Sequence, residues 1–188
     1  MRVIAGQYRR RLLQAPAGRE TRPTSDRLRE TLFNVLAPRV EGAVFLDLYA
    51  GSGAVGLEAL SRGAQSAIFV EQAETALRAI RSNLAELGIR GGYALETRSV
   101  TAALRRMVET GRTADLVFLD PPWTEKDEYA RTLGLLGGEC AAMLASEALV
   151  VAEHAKRSPL EERYGRLVRF RVLQQGDAAL SFYRTESG

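Results

Sequence analysis

Between residues 43 and 152 the chain alternates short apolar runs with amphipathic stretches, and this alternation limits the possible folds more than any other feature. Val44–Leu48 and residues 67–70, 115–119 and 148–152 are almost continuously apolar, with a weaker run near Tyr93–Glu96. Strands of that kind belong to sheets buried on both faces. Helical stretches lie between them. One runs from the glycines at 51–56 to about Arg62, and one from Ala73 carries Leu77, Ile80, Leu84 and Leu87 on one face, stopping at Gly88. Two more pass through Leu104 and Met107 and around residues 129–143. Five strand-then-helix units predict a mostly parallel sheet with helices on both sides. Ligands of such sheets bind beyond the carboxyl ends of the strands. Residues 47–53 and 120–123 end strands in polar or special residues, so both are expected to open onto one cleft.

The flanks follow other patterns. Alternation at Arg2-Val3-Ile4-Ala5 and Arg11-Leu12-Leu13-Gln14 predicts two short strands turning at Gly6-Gln7-Tyr8. A loop at 15–23 leads to a helix capped by Thr24 or Ser25, with Leu28, Leu32, Val35 and Leu36 at helical spacing and Pro38 as its end. The chain closes with antiparallel strands at 167–173 and 178–183, turning at Gln175-Gly176-Asp177. We therefore expect a basic N-terminal extension over 1–23 and a single domain over 24–188.

At 188 residues one domain is expected. One Cys (Cys140) excludes an internal disulfide, and one Cys with one His (His154) cannot form a Cys/His zinc site, so no metal is expected. A Ser-His-Asp triad would have to use His154, which, like Glu153, reads as structural. Cys140, in an apolar helix, reads as core. No apolar run approaches the roughly 20 residues that span a bilayer, and no signal peptide is evident, so a cytoplasmic location is expected. The formal charge of +3 is uneven: residues 1–30 hold eight Arg and three acids, while the rest holds 18 basic and 20 acidic side chains. A cationic segment on a near-neutral body suggests a polyanionic partner.

Gly51-Ser52-Gly53-Ala54-Val55-Gly56 matches G-x-G-x-x-G, and Glu71 follows Gly51 by 20 residues at the end of the next strand. Glycines admit close backbone approach, and a carboxylate accepts ribose hydroxyls. Both a dinucleotide and S-adenosylmethionine use such a turn. Asp47, just before it, would repel a pyrophosphate but suits a cationic amino-acid group, which favours the methyl donor. Asp120-Pro121-Pro122-Trp123 is more specific. The prolines lack N–H groups and stiffen the turn. With the Asp120 carboxylate, the Pro121 carbonyl forms an acceptor-only pocket for an NH₂ group, and Trp123 offers a face for a nucleobase.

Asp120-Pro121-Pro122-Trp123 resembles the (Asp/Asn/Ser)-Pro-Pro-aromatic motif of class I methyltransferases acting on exocyclic amines. The run from Thr21 through Leu36 (TRPTSDRLRETLFNVL) is similar to a signature of the RsmD family of bacterial 16S rRNA guanine-N2 methyltransferases. The run from Phe45 through Ala64 resembles that family's cofactor motif, and Tyr164-Gly165 and Ser181-Phe182-Tyr183 resemble its closing strands. The resemblance implies a Rossmann-like class I fold, with a mostly parallel seven-stranded sheet and an antiparallel C-terminal hairpin. It implies S-adenosylmethionine held by Asp47, Tyr49, Ala50, Gly51, Ser52, Gly53, Glu71, Gln72, Ser99 and Val100. Asp120, Pro121, Pro122 and Trp123 would be catalytic, and Arg9, Arg10, Arg11, Arg22 and Arg27 would bind RNA. The expected partner is 16S rRNA within a small-subunit particle, bound by a monomer. The chain departs from the family's pattern in having Arg10 among the first basic residues, Arg98-Ser99-Val100 where an acid or Asn usually meets adenine, and Trp123 in place of Tyr or Phe.

Three alternatives stay open on the sequence. A DNA adenine-N6 methyltransferase would use the same Asp120–Trp123 chemistry but normally needs a further recognition domain. A small NAD-dependent oxidoreductase leaves that turn unexplained, and a non-catalytic RNA-binding protein leaves both strand-end motifs unexplained. Arg22 and Arg27 have a second reading, as ion-pair partners of Glu20, Asp26 or Glu30.

Overall fold

The computed structural model of the chain describes residues 1–16, 25–123 and 125–186. β1 (Val44–Leu48), β2 (Ser66–Val70), β3 (Tyr93–Glu96), β4 (Ala114–Leu119) and β5 (Leu144–Ala155) run parallel. β8 (Ala178–Thr185) pairs antiparallel to β5, and β7 (Leu167–Gln175) to β8, with the two-residue β6 (Arg163–Tyr164) at the edge. The sheet order is β3-β2-β1-β4-β5-β8-β7-β6. The expected seven strands become eight because β6, too short to show alternation, pairs with β7. The order reverses between β1 and β4, and their register sets Leu48 beside Leu119. The carboxyl ends from which residues 47–53 and 120–123 depart are therefore neighbours, at the switch point where open α/β sheets bind ligands.

Alternate strand residues feed opposite layers, as the pleat requires. Phe45, Phe118, Val151 and Phe182 pack under α1 (Asp26–Val40). Phe69 packs with Leu57 of α2 (Ala54–Ser61) and with Ile80 and Leu84 of α3 (Glu74–Glu86). On the other face, Leu46, Leu48, Val117 and Leu119 meet Leu104 and Met107 of α4 (Val100–Glu109) and Leu133 and Leu136 of α5 (Lys126–Gly137). Cys140 is buried in this second layer, as core, though in the turn after α5 rather than within a helix.

Three helix ends are informative. Ser25 caps α1, its hydroxyl accepting the Leu28 N–H at 3.1 Å. Pro38 does not end α1, which continues to Val40, because Val40 is itself buried against the core and its packing outweighs the break. α3 stops just before Gly88, the expected C′ residue, which lies in the left-handed region at φ +71° with Ile89 N–H donating to Leu84 O. The helix expected over 129–143 begins at Lys126, ends at Gly137, and is followed by a separate 3-10 turn at Ala141–Met143. A close approach fixes this break: a Cβ on Gly137 would lie 1.8 Å from Tyr164 O.

The N-terminal strands reduce to one antiparallel bridge, Arg2 to Leu12, with Val3 N–H to Arg11 O and Arg10 N–H to Val3 O at 2.9 Å each. This hairpin is docked against α2 and α3. The fully buried Glu58 carboxylate accepts Ile4 N–H at 2.7 Å and Ala5 N–H at 3.0 Å. Ser61 Oγ accepts Tyr8 N–H and donates to Ala5 O. Gly6, at φ +82°, is the residue that allows this contact, because a Cβ there would stand 1.8 Å from Ser61 O. The boundary expected at 23/24, Arg22 and Thr24 lie outside the described residues.

Candidate active site

Asp47, next to last in β1, has its carboxyl buried and accepts Gly56 N–H at 2.9 Å. Burial pushes its pKa up to about 8; the Gly56 N–H opposes the rise and the nearby Glu71 charge adds to it. The backbone then turns sharply: Tyr49 has φ +60°, Gly51 +56° and Gly53 +76°. Gly53 stands at the start of α2, and a Cβ at Gly56 would come within 2.4 Å of Phe69 Cε1. The glycines thus serve the turn and the close seating of α2 on β2. Glu71, at the end of β2, accepts N–H groups from Gly51 at 2.9 Å, Gln72 at 2.8 Å and Ala73 at 2.7 Å.

Across the switch point, Asp120-Pro121-Pro122-Trp123 leaves β4. Pro121 is buried, Asp120 and Trp123 are half-buried, and Trp123 rests against the core layer under α1. Pro122 O accepts Glu125 N–H at 2.8 Å, closing the turn ahead of α5. Ser99 Oγ accepts Ala102 N–H at 3.2 Å and so caps α4, while Arg98 pairs with Glu96 at 3.1 Å. A cleft of about 940 Å³ joins these parts, at the upper end of small-molecule sites. Of the residues expected to hold cofactor or substrate, all line it except Gly53.

Other parts of the cleft wall carry no sequence signal of their own. Met1, Ala15 and Pro16 of the N-terminal segment contribute, as do Glu128 and Arg131. Asn83, fully buried on α3, accepts Gln14 N–H at 2.7 Å and donates to Gln14 O and Ser52 O at 3.0 Å each. It joins the hairpin to the glycine turn. One signal for Glu58 was present: a carboxylate in the otherwise apolar run 54–60, within a helix buried nearly all round.

The expected RNA-facing arginines separate. Arg9, Arg10 and Arg27 line a second, smaller cleft of about 500 Å³ between the hairpin and the start of α1. Arg11 donates to Glu86 O at 2.5 Å and so spends its guanidinium on the end of α3. Asp26 pairs with Arg29 at 2.7 Å and with Arg2 at 3.6 Å. His154 stands apart from the cleft, with Nδ1 3.1 Å from Ala155 O and from Ser158 O, and Nε2 2.9 Å from Ser181 Oγ. Two carbonyls assign the proton to Nδ1, and burial lowers the pKa, so the ring is a neutral structural link. Among the described residues, no helix is long and apolar enough to cross a membrane, and no three His, Cys, Asp or Glu side chains cluster to hold a metal.

Known proteins resemble the chain in sequence and in fold. The family model described as "Conserved hypothetical protein 95" matches residues 1–184. A Bacillus subtilis protein named "Putative rRNA methyltransferase YlbH" is 38% identical over 188 residues, 98% of each chain. "Ribosomal RNA small subunit methyltransferase D" of Escherichia coli is 37% identical over 187 residues, covering 100% of this chain and 91% of that one. A solved structure described as "Putative methyltransferase yhhF from Escherichia coli" superposes with TM-score 0.83 at 35% identity, covering 99% of this chain and 98% of that one. The fold is the Rossmann-like class I methyltransferase fold. The chain belongs to the Conserved hypothetical protein 95 family, the RsmD family whose motifs its sequence resembles.

Proposed function

We propose that the chain is a 16S rRNA methyltransferase that moves a methyl group from S-adenosylmethionine to the exocyclic N2 of a guanine. One observation carries the reading: the glycine turn with its buried acid and the Asp120–Trp123 turn face one cleft. Family membership and the relatives named as rRNA methyltransferases support the reaction class and the RNA.

The residues fit the methyl donor better than a dinucleotide. Among the described residues, the Asp47 carboxylate accepts a hydrogen bond from Gly56 N–H and forms no ion pair with Lys or Arg. A buried acid so placed is completed by an ammonium group, whose charge lets it give up its proton, whereas a pyrophosphate would oppose that ionisation. Asp47 and the backbone of Tyr49, Ala50, Gly51, Ser52 and Gly53 would hold the amino-acid part. Glu71 and Gln72 would meet the ribose, and Ser99 and Val100 the adenine. When bound, S-adenosylmethionine supplies an electrophilic methyl on a sulfonium.

The target base leaves its stack to enter the cleft, and Trp123 receives its face. Asp120 and the Pro121 carbonyl accept the two amine hydrogens, while Pro122 holds the turn stiff. These acceptors help the nitrogen pyramidalise and tolerate the positive charge that develops on it. In-line placement supplies much of the rest, up to about 7–11 kcal/mol. Arg9, Arg10 and Arg27 form the phosphate-facing side, and Arg22 would add a further cation to the RNA-binding set. The enzyme acts as a cytoplasmic monomer on a small-subunit particle.

Labelled methyl donor offered with naked 16S rRNA, assembled 30S particles and duplex DNA tests the reading. Label is expected in the ribosomal substrates and not in DNA. Label in duplex DNA, or tight binding of NAD with none of S-adenosylmethionine, overturns it.

A further inference from the structure

The two turns that face each other across the cleft are both tied to α5, through adjacent residues. Tyr129, 5% exposed, places its hydroxyl 3.2 Å from Pro121 O and 2.9 Å from Glu153 O. One proton is shared between two carbonyls, and Pro121 O keeps a second lone pair for another donor. Beside it, Glu128 Oε2 accepts the Tyr49 hydroxyl at 2.9 Å, and Thr132 Oγ1 lies 2.7 Å from the Tyr49 hydroxyl oxygen. Tyr49 is one of two described non-glycine residues with positive φ, a conformation that needs outside support in a bulky side chain. Burial raises both phenol pKa values, so both hydroxyls stay protonated donors through the working pH range.

We propose that Tyr129 is a positioning residue for the methyl acceptor, and that α5 fixes the separation of the two turns. Its hydroxyl holds the Pro121 carbonyl in the direction from which that oxygen takes one hydrogen of the target amine. The Tyr49 bonds to Glu128 and Thr132 secure the cofactor side of the cleft to the same helix. The proposal deepens the reading of Asp120–Trp123 as the amine-binding turn and rests on it.

The test compares Tyr129→Phe, Tyr183→Phe and Asp120→Ala in the full chain, with dissociation constants for S-adenosylmethionine and RNA measured beside the single-turnover rate. Tyr183→Phe is the matched control, since it removes a hydroxyl bonded to a carbonyl, Glu161 O at 2.8 Å, outside the cleft. Tyr129→Phe is expected to slow turnover ten- to a hundredfold with both dissociation constants within threefold of the parent, while Tyr183→Phe keeps its rate. Equal rates for the two Phe variants overturn the proposal. If Asp120→Ala is inactive and Tyr129→Phe is normal, only the role of Tyr129 fails. If Asp120→Ala turns over normally, the amine-binding reading fails and the proposal with it. Should Tyr129→Phe lose its cooperative melt, Tyr49→Phe carries the test: slower turnover with weakened cofactor binding supports the brace, and unchanged values overturn it.

Discussion

Asp47 weakens the fold by its burial, a cost that its proposed role in ligand binding would explain. Its pKa is about 8 in the folded chain, against 3.8 for an unperturbed carboxyl. Between those values the folded chain keeps a proton that the unfolded chain has released. This group's contribution to stability is therefore full below pH 4, and it declines as pH rises toward 8. Asp47→Asn removes the penalty and keeps an acceptor for Gly56 N–H. Melts from pH 5 to 9 should show the variant gaining on the parent as pH rises, by up to about 1.4 kcal/mol per pH unit until the gain levels off near pH 8. Calorimetry should show its affinity for S-adenosylmethionine reduced at least tenfold. A stability difference that does not change with pH would contradict this account of Asp47. The acid is legible in the sequence from its place before the glycines. Its burial is not, since that depends on α2 packing over it.

At the level of elements, the strands that read plainly are those whose apolar run is the whole strand, such as β1 and β2. The run at 148–152 marks only the middle of β5, because Ser146 and Glu147 break the apolar pattern without breaking the strand. α5 is misjudged because Gly137 is needed for contact with β6, a pairing distant in sequence. The hairpin's attachment is equally hidden. Glu58 and Asn83 bind backbone groups of residues 4, 5 and 14, and backbone partners leave no mark in side-chain spacing. Glu58→Gln should cost about 1–3 kcal/mol, since one acceptor of a buried cluster becomes a donor facing N–H groups or Arg62. It should also weaken RNA binding more than cofactor binding. Chemical denaturation with paired titrations of RNA and S-adenosylmethionine checks both, and an RNA affinity equal to the parent's contradicts the hairpin's role.

Across the whole molecule, the charge division read from sequence acquires a shape. Among the described residues, the positive charge of residues 1–30 sits on a hairpin packed against α2 and α3 and on the start of α1. Arg9→Ala and Arg10→Ala should each lower the slope of log affinity against log salt by about 0.7–0.9, depending on the form of RNA. Arg11→Ala should change the slope less and the stability more, because its guanidinium is engaged with Glu86 O. Filter binding over a salt series distinguishes them, and three equal slopes would contradict the assignment.

The central claim is chemical: the Asp120–Trp123 turn presents a guanine amine to the methyl donor. Its most direct test is the identity of the product. Small-subunit RNA methylated by the purified chain is digested to nucleosides, and the labelled nucleoside is resolved by mass spectrometry beside standards. The account predicts label in N2-methylguanosine alone. Label in N6-methyladenosine, or in a guanosine methylated at any other atom, contradicts it.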